Sequence, residues 1–123
     1  MPNHAIDHTL ATSLGAIERA YEAGEKVFLE ADTGTEMFVV TSGRIDVITY
    51  GTVLDNVRTG GIFGEMALID DGQRSAAAIA AEPSTVIAIS KPTFLAMLQH
   101  QPEFALRVMR ALSERLRKMN RQL

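Results

Sequence analysis

The chain has 123 residues, 46% of them hydrophobic and 22% charged, a size that buries one core without covalent staples and is expected to form a single domain over 1–123. It contains no cysteine, which excludes disulfides and thiolate metal sites. Charge is unevenly placed: residues 1–102 carry six basic against thirteen acidic side chains, a balance of −7, and 103–123 carry six against two, a balance of +4. So acidic a body argues against a broad nucleic-acid surface but leaves room for one local anion pocket.

The apolar runs are short, and Met1-Pro2-Asn3-His4 lacks the basic start and apolar block of a secretion signal, so a cytoplasmic location without membrane contact is expected. Residues 1–22 read as an N-terminal helical segment, because Ile6, Leu10, Leu14, Ile17 and Tyr21 recur every three or four positions, with a break near Gly15. His4 and His8 stand four apart with Asp7 between them, a spacing that holds a metal on a helix. No third ligand follows at a recognisable spacing, so a solvated helix start is preferred and no metal is expected.

From Glu25 to Ile89 the pattern changes to short β-rich pieces punctuated by glycine, with strands expected at Lys26–Leu29, Met37–Thr41, Arg44–Tyr50, Val53–Val57, Ala76–Ala80 and Thr85–Ser90. Alternation in Arg44–Tyr50 places Ile45, Val47 and Thr49 on one face. The alanine-rich run after Arg74 has weak strand propensity and reads equally well as helix. These pieces make an antiparallel β-roll, jelly-roll-like, over 23–90. Ser90 is a helix N-cap with Pro92 in the first turn, and Phe94, Leu95 and Leu98 are expected to bury in a helix ending near His100. A final helix begins at Pro102, completing a C-terminal helical pair over 91–123. On it Ala105, Met109, Leu112, Leu116, Met119 and Leu123 repeat with heptad spacing. That stripe serves either packing within the domain or a homodimer through Leu112, Leu116 and Met119. The arginines and lysine of the same helix read first as a solvated face and last as a nucleic-acid surface.

The chemistry concentrates between Gly60 and Ala76, GGIFGEMALIDDGQRSA. Gly60, Gly61 and Gly64 permit tight turning and close approach of backbone to a ligand. A short helical turn after Phe63 presents free N–H groups to an anion. Arg74 offers a planar, permanently charged fork for two phosphate oxygens, and Ser75 adds a hydroxyl. Glu65 is the exception, since a carboxylate beside phosphate is repelled unless another group donates to it; a ribose hydroxyl is such a donor.

Phe63-Gly64-Glu65-Met66-Ala67-Leu68, five residues, then Arg74-Ser75-Ala76 resembles the phosphate-binding cassette of cyclic-nucleotide-binding domains. Ala23–Asp32 and Thr41-Ser42-Gly43-Arg44 are similar to the family's first strands, so the likeness spans roughly residues 20–104. It implies that Glu65 accepts from the ribose 2′-hydroxyl and Arg74 pairs with the cyclic phosphate. Backbone N–H groups around Gly64, Glu65, Met66 and Ala67, and at Ala76, complete the cradle, with Phe63 and Ser75 in the same set. It further implies that the last helix closes over the base. Gln73 stands where many members have proline, and Ala77 where many have threonine.

A Walker loop and a Gly-x-Ser-x-Gly elbow are both missing, and nothing places Glu65 beside His100, so no catalytic residues are expected. The expected function is a non-catalytic receptor for cyclic AMP, in preference to cyclic GMP, which signals to an unidentified effector protein by moving its last helix. Two alternatives are a sensor fragment of a DNA-binding regulator and a ligand-free structural module of the same fold.

Overall fold

The computed structural model describes residues 8–70 and 72–122. Ile6 and the His4–Asp7 part of the metal spacing lie outside the described residues, as do Asp71 and Leu123. The molecule has three layers. Its middle layer is a four-stranded antiparallel sheet in the order β1 (Ile17–Tyr21), β10 (Ser84–Ser90), β4 (Glu36–Ser42) and β7 (Ile62–Phe63). The central strands β4 and β10 are almost continuously apolar because both their faces are covered. Met37, Val39, Ile87 and Ile89 point toward a helical layer, while Phe38, Val40, Val86 and Ala88 point toward a second sheet.

That second sheet runs β2 (Lys26–Phe28), β9 (Ala77–Ala80), β5 (Arg44–Thr49) and β6 (Thr52–Arg58). It closes the core with Ile45, Val47, Leu54, Val57, Ala78 and Ala80, so the expected inward face of β5 is the one observed through Val47. The alanine run is strand, and its small side chains at Ala78 and Ala80 are fully buried, which lets the two sheets approach closely. A two-stranded ladder of β3 (Thr33–Gly34) and β8 (Gly72–Gln73) completes the roll. The roll with flanking helices is the fold class expected from the sequence.

The N-terminal segment differs from expectation. Among the described residues helix α1 covers His8–Ser13, and Ile17–Tyr21 is an edge strand paired with β10 from Ile17 opposite Ala88 to Tyr21 opposite Ser84. Gly15, at φ +109°, turns the chain between them. The apolar spacing continues past this turn by coincidence: Ile17 is 58% exposed, and the open edge of β10 offers a ladder that a helix would leave unmade.

Helix α3 (Lys91–His100) starts as expected, with the Ser90 side chain accepting from the Thr93 N–H. Its buried residues are Thr93 and Met97, with Phe94 and Leu98 packed partly against the core; Leu95 faces solvent. Helix α4 (Glu103–Gln122) buries Phe104 and Val108 and packs Ala111 and Leu112 on the same core. The core-facing stripe is therefore not the heptad seam, whose Met109, Leu116 and Met119 stay substantially exposed.

Candidate functional site

Strand β7 delivers the chain to Gly64, whose φ of +75° sets up the one-turn helix α2 (Met66–Ile69). Phe63 is fully buried and packs with Phe28 and Phe38, its ring stacked on that of Phe38 at 5.0 Å, so it anchors the cassette from within the core. Gly64 comes close to Arg74: a Cβ at this position would lie 3.0 Å from Nη1. Gly60 and Gly61 do not border the same cavity. Gly60 donates to the Val40 carbonyl, Gly61 donates to that of Arg58, and the two serve the turn into β7. Within the cassette, the Ala67 N–H bonds to the Gly64 carbonyl at 3.3 Å and the Leu68 N–H to Glu65, so part of the expected N–H array closes the turn itself.

Arg74 is buried, with its guanidinium 4.1 Å from the centre of the Phe28 ring. Its Nη1 donates to the Gly64 carbonyl at 2.9 Å and its Nη2 to that of Glu36 at 2.8 Å. The backbone on either side is stitched to the preceding loop, since the Arg74 N–H donates to Asp32 and its carbonyl accepts from Ala31. Gly34 makes this close approach feasible, because a Cβ there would stand 2.1 Å from Nε. Burial draws the guanidinium below its ordinary pKa, against the opposing pull of Glu36, Glu65 and Asp32.

Glu65 is only 3% exposed, and its partner comes from the other end of the chain. Arg115 on α4 donates from Nη1 to both carboxylate oxygens, at 2.8 and 3.0 Å. The same guanidinium donates from Nε to Asp55 on β6 at 3.1 Å and from Nη2 to the Ile62 carbonyl at 2.7 Å, while Lys118 also pairs with Asp55. Burial alone would push the Asp55 carboxyl up, but Lys118 and Arg115 outweigh it and hold it below its ordinary value. Burial likewise opposes the charge on Arg115, and Glu65 and Asp55 overcome it and raise the guanidinium.

Arg115 and Asp55 are the residues that sequence reasoning missed. The signal that could have found Arg115 was the isolated acid of the cassette facing a helix of +4 charge. Spacing along that helix does not say which of its six cations turns inward. Arg115 and Lys118 therefore depart from the solvated basic face expected of the helix.

The cassette, the roll and α4 enclose a cavity of about 570 Å³. Gly64, Glu65, Met66, Ala67, Arg74, Ser75 and Ala76 all line it, and Phe63 lies behind it. One part of the wall is polar, formed by Glu65, Arg74, Ser75 and Arg115. Elsewhere Val47, Leu54, Leu112, Leu116 and Met119 give an apolar wall, with Tyr50 also on the lining. Leu112, Leu116 and Met119 thus face the cassette cavity. A volume of this size with few convergent polar groups suits a small amphipathic anion. Among the described residues, no cluster of three or more metal-ligating side chains occurs, and no helix is long and apolar enough to cross a membrane.

Residues 18–101 match the cyclic nucleotide-binding domain family, and the chain belongs to that family. It is 31% identical over 110 residues to the cyclic AMP receptor protein of Thermus thermophilus, covering 85% of this chain and 51% of that protein. The crystal structure of the Thermus thermophilus catabolite activator protein superposes with a TM-score of 0.79 at 30% identity, covering 99% of this chain and 58% of that one. A cAMP-dependent protein kinase regulatory subunit of Yarrowia lipolytica is 30% identical over 81 residues, 66% of this chain and 22% of that protein. The chain spans about half the length of the Thermus relative or less of such proteins.

Proposed function

We propose that this chain is a non-catalytic cyclic-nucleotide receptor, binding cyclic AMP in preference to cyclic GMP and signalling through its last helix. Arg74 and Ser75 hold the cyclic phosphate together with backbone N–H groups around Glu65 and Met66 and at Ala76. Glu65 accepts from the ribose 2′-hydroxyl, and the base lies toward the apolar wall. The observation that carries the reading is the double position of Glu65, which lines the cavity and is gripped by Arg115 of α4. A ribose hydroxyl at Glu65 changes the field and geometry around that pair, so occupancy and helix position share one carboxylate. The ligand then shifts the helix by as much as it favours one arrangement of the pair. In this reading the helix feels the occupied cassette through Arg115.

Two readings of the output are supported by particular observations. Relatives longer than this chain favour a sensor that feeds a further domain. The exposure of Met109, Leu116 and Met119 favours pairing of two copies along α4. Calorimetric titration with cyclic AMP and cyclic GMP tests the receptor, with hydrogen exchange across 103–122 and sedimentation on the same samples. The expected result is micromolar or tighter binding, with cyclic AMP ahead, and altered exchange on α4. A folded chain that binds neither nucleotide overturns the receptor reading. Binding with exchange unchanged at saturation overturns the switching mechanism alone.

A further inference from the structure

The hairpin between β5 and β6 closes on Tyr50 and Gly51, at φ +51° and +74°. Two left-handed residues in a two-residue loop form the turn that favours Asn-Gly, and a bulky aromatic at its first position is strained. Tyr50 gains no packing in exchange: it is 91% exposed, more than any other large hydrophobic residue among the described ones. It nevertheless lines the cassette cavity, as do Leu116 and Met119 of α4. The register between β5 and β6 shifts at Val47/Ile48, a bulge that gives the hairpin a bending point below its tip. Strain and an exposed ring at the mouth of a ligand cavity are unexplained by the core and point to function.

We infer that Tyr50 is the residue that stacks on the nucleobase. The hairpin tip folds onto one face of the base while Leu116 and Met119 cover it from the helix side, so the base is enclosed by both. This rests on the cyclic-nucleotide reading and deepens it. Stacking reads ring area and not hydrogen-bonding edges, so Tyr50 favours a purine over a pyrimidine without choosing adenine over guanine.

The chain has no tryptophan and two tyrosines, Tyr21 and Tyr50, so in a Tyr21→Phe variant Tyr50 is the sole emitter. Titrating that variant with cyclic AMP quenches its emission along the calorimetric isotherm, whereas a Tyr50→Asn chain, emitting from Tyr21 alone, keeps its signal. Tyr50→Asn binds cyclic AMP roughly 5- to 100-fold more weakly, with a smaller loss for cyclic UMP. Without nucleotide the same variant melts about 2–5 °C higher, since asparagine relieves the turn. Tyr50→Phe keeps affinity within about twofold because the ring is retained. Full affinity in Tyr50→Asn, or unquenched Tyr50 emission in a chain that binds, overturns the stacking role and leaves the receptor intact. A folded wild type that binds no cyclic nucleotide overturns both.

Discussion

Arg74→Ala is expected to weaken cyclic-nucleotide binding by at least about a hundredfold, as charge-assisted hydrogen bonds of ~1.5–3 kcal/mol each to two phosphate oxygens are lost together. The fold registers the change as well. The guanidinium is buried between Gly34, Gly64 and the Phe28 ring and satisfies the carbonyls of Gly64 and Glu36. Its removal leaves those acceptors without their donor and opens a gap, at a cost of roughly 2–4 kcal/mol. Calorimetry beside a thermal melt separates the two effects. Arg74→Lys sharpens the comparison, because lysine keeps the charge without the planar fork. A lysine chain that is stable but still binds about tenfold or more weakly assigns the loss to phosphate recognition. An alanine chain that binds as tightly as the wild type would remove Arg74 from the site.

Arg115→Ala is expected to release the C-terminal half of α4. Glu65 and Asp55 have side-chain exposures of 3% and 13%, and the substitution takes from the first its ion-pair partner among the described residues and from the second one of two. Stranding buried charge in this way costs about 3–5 kcal/mol. Hydrogen exchange over residues 109–122 should then rise sharply, with little change in β4 and β10. The same latch predicts the behaviour of the wild type in acid. The folded Asp55 carboxyl lies below its ordinary value, so its contribution to stability is fully present above its unfolded value of about 3.9. That contribution is lost as pH falls through the lower folded value. Protection of α4 should therefore decline below about pH 4, and Asp55→Asn should remove the part of that decline belonging to Asp55. A helix that stays protected in Arg115→Ala would show that Phe104, Val108 and Leu112 suffice to dock it.

Much of the site was legible from residue types at fixed spacing. Gly64, Glu65, Arg74 and Ser75 carry their chemistry in their identities, and a permanent cation near a lone acid after a glycine turn describes an anion pocket before any fold is known. The central strands, expected at Met37–Thr41 and Thr85–Ser90 and observed one residue longer at one or both ends, were legible for a similar reason, since short β-rich pieces between turn residues mark strands. Periodicity failed where a long-range partner decided the outcome. Ile17–Tyr21 has helical spacing but lies beside an unpaired edge of β10, and backbone pairing outweighs a weak local preference.

The last helix marks the same boundary. Its sequence determined its length, its cationic charge and the presence of apolar residues on more than one side. Only the tertiary structure decided that Phe104 and Val108 enter the core, that Leu116 and Met119 face the cassette cavity, and that Arg115 among six cations reaches Glu65. A helix states which residues share a face, but not which face meets the body. That choice is made by buried acids fifty or more positions away, which require a cation and accept the one the packing brings within reach.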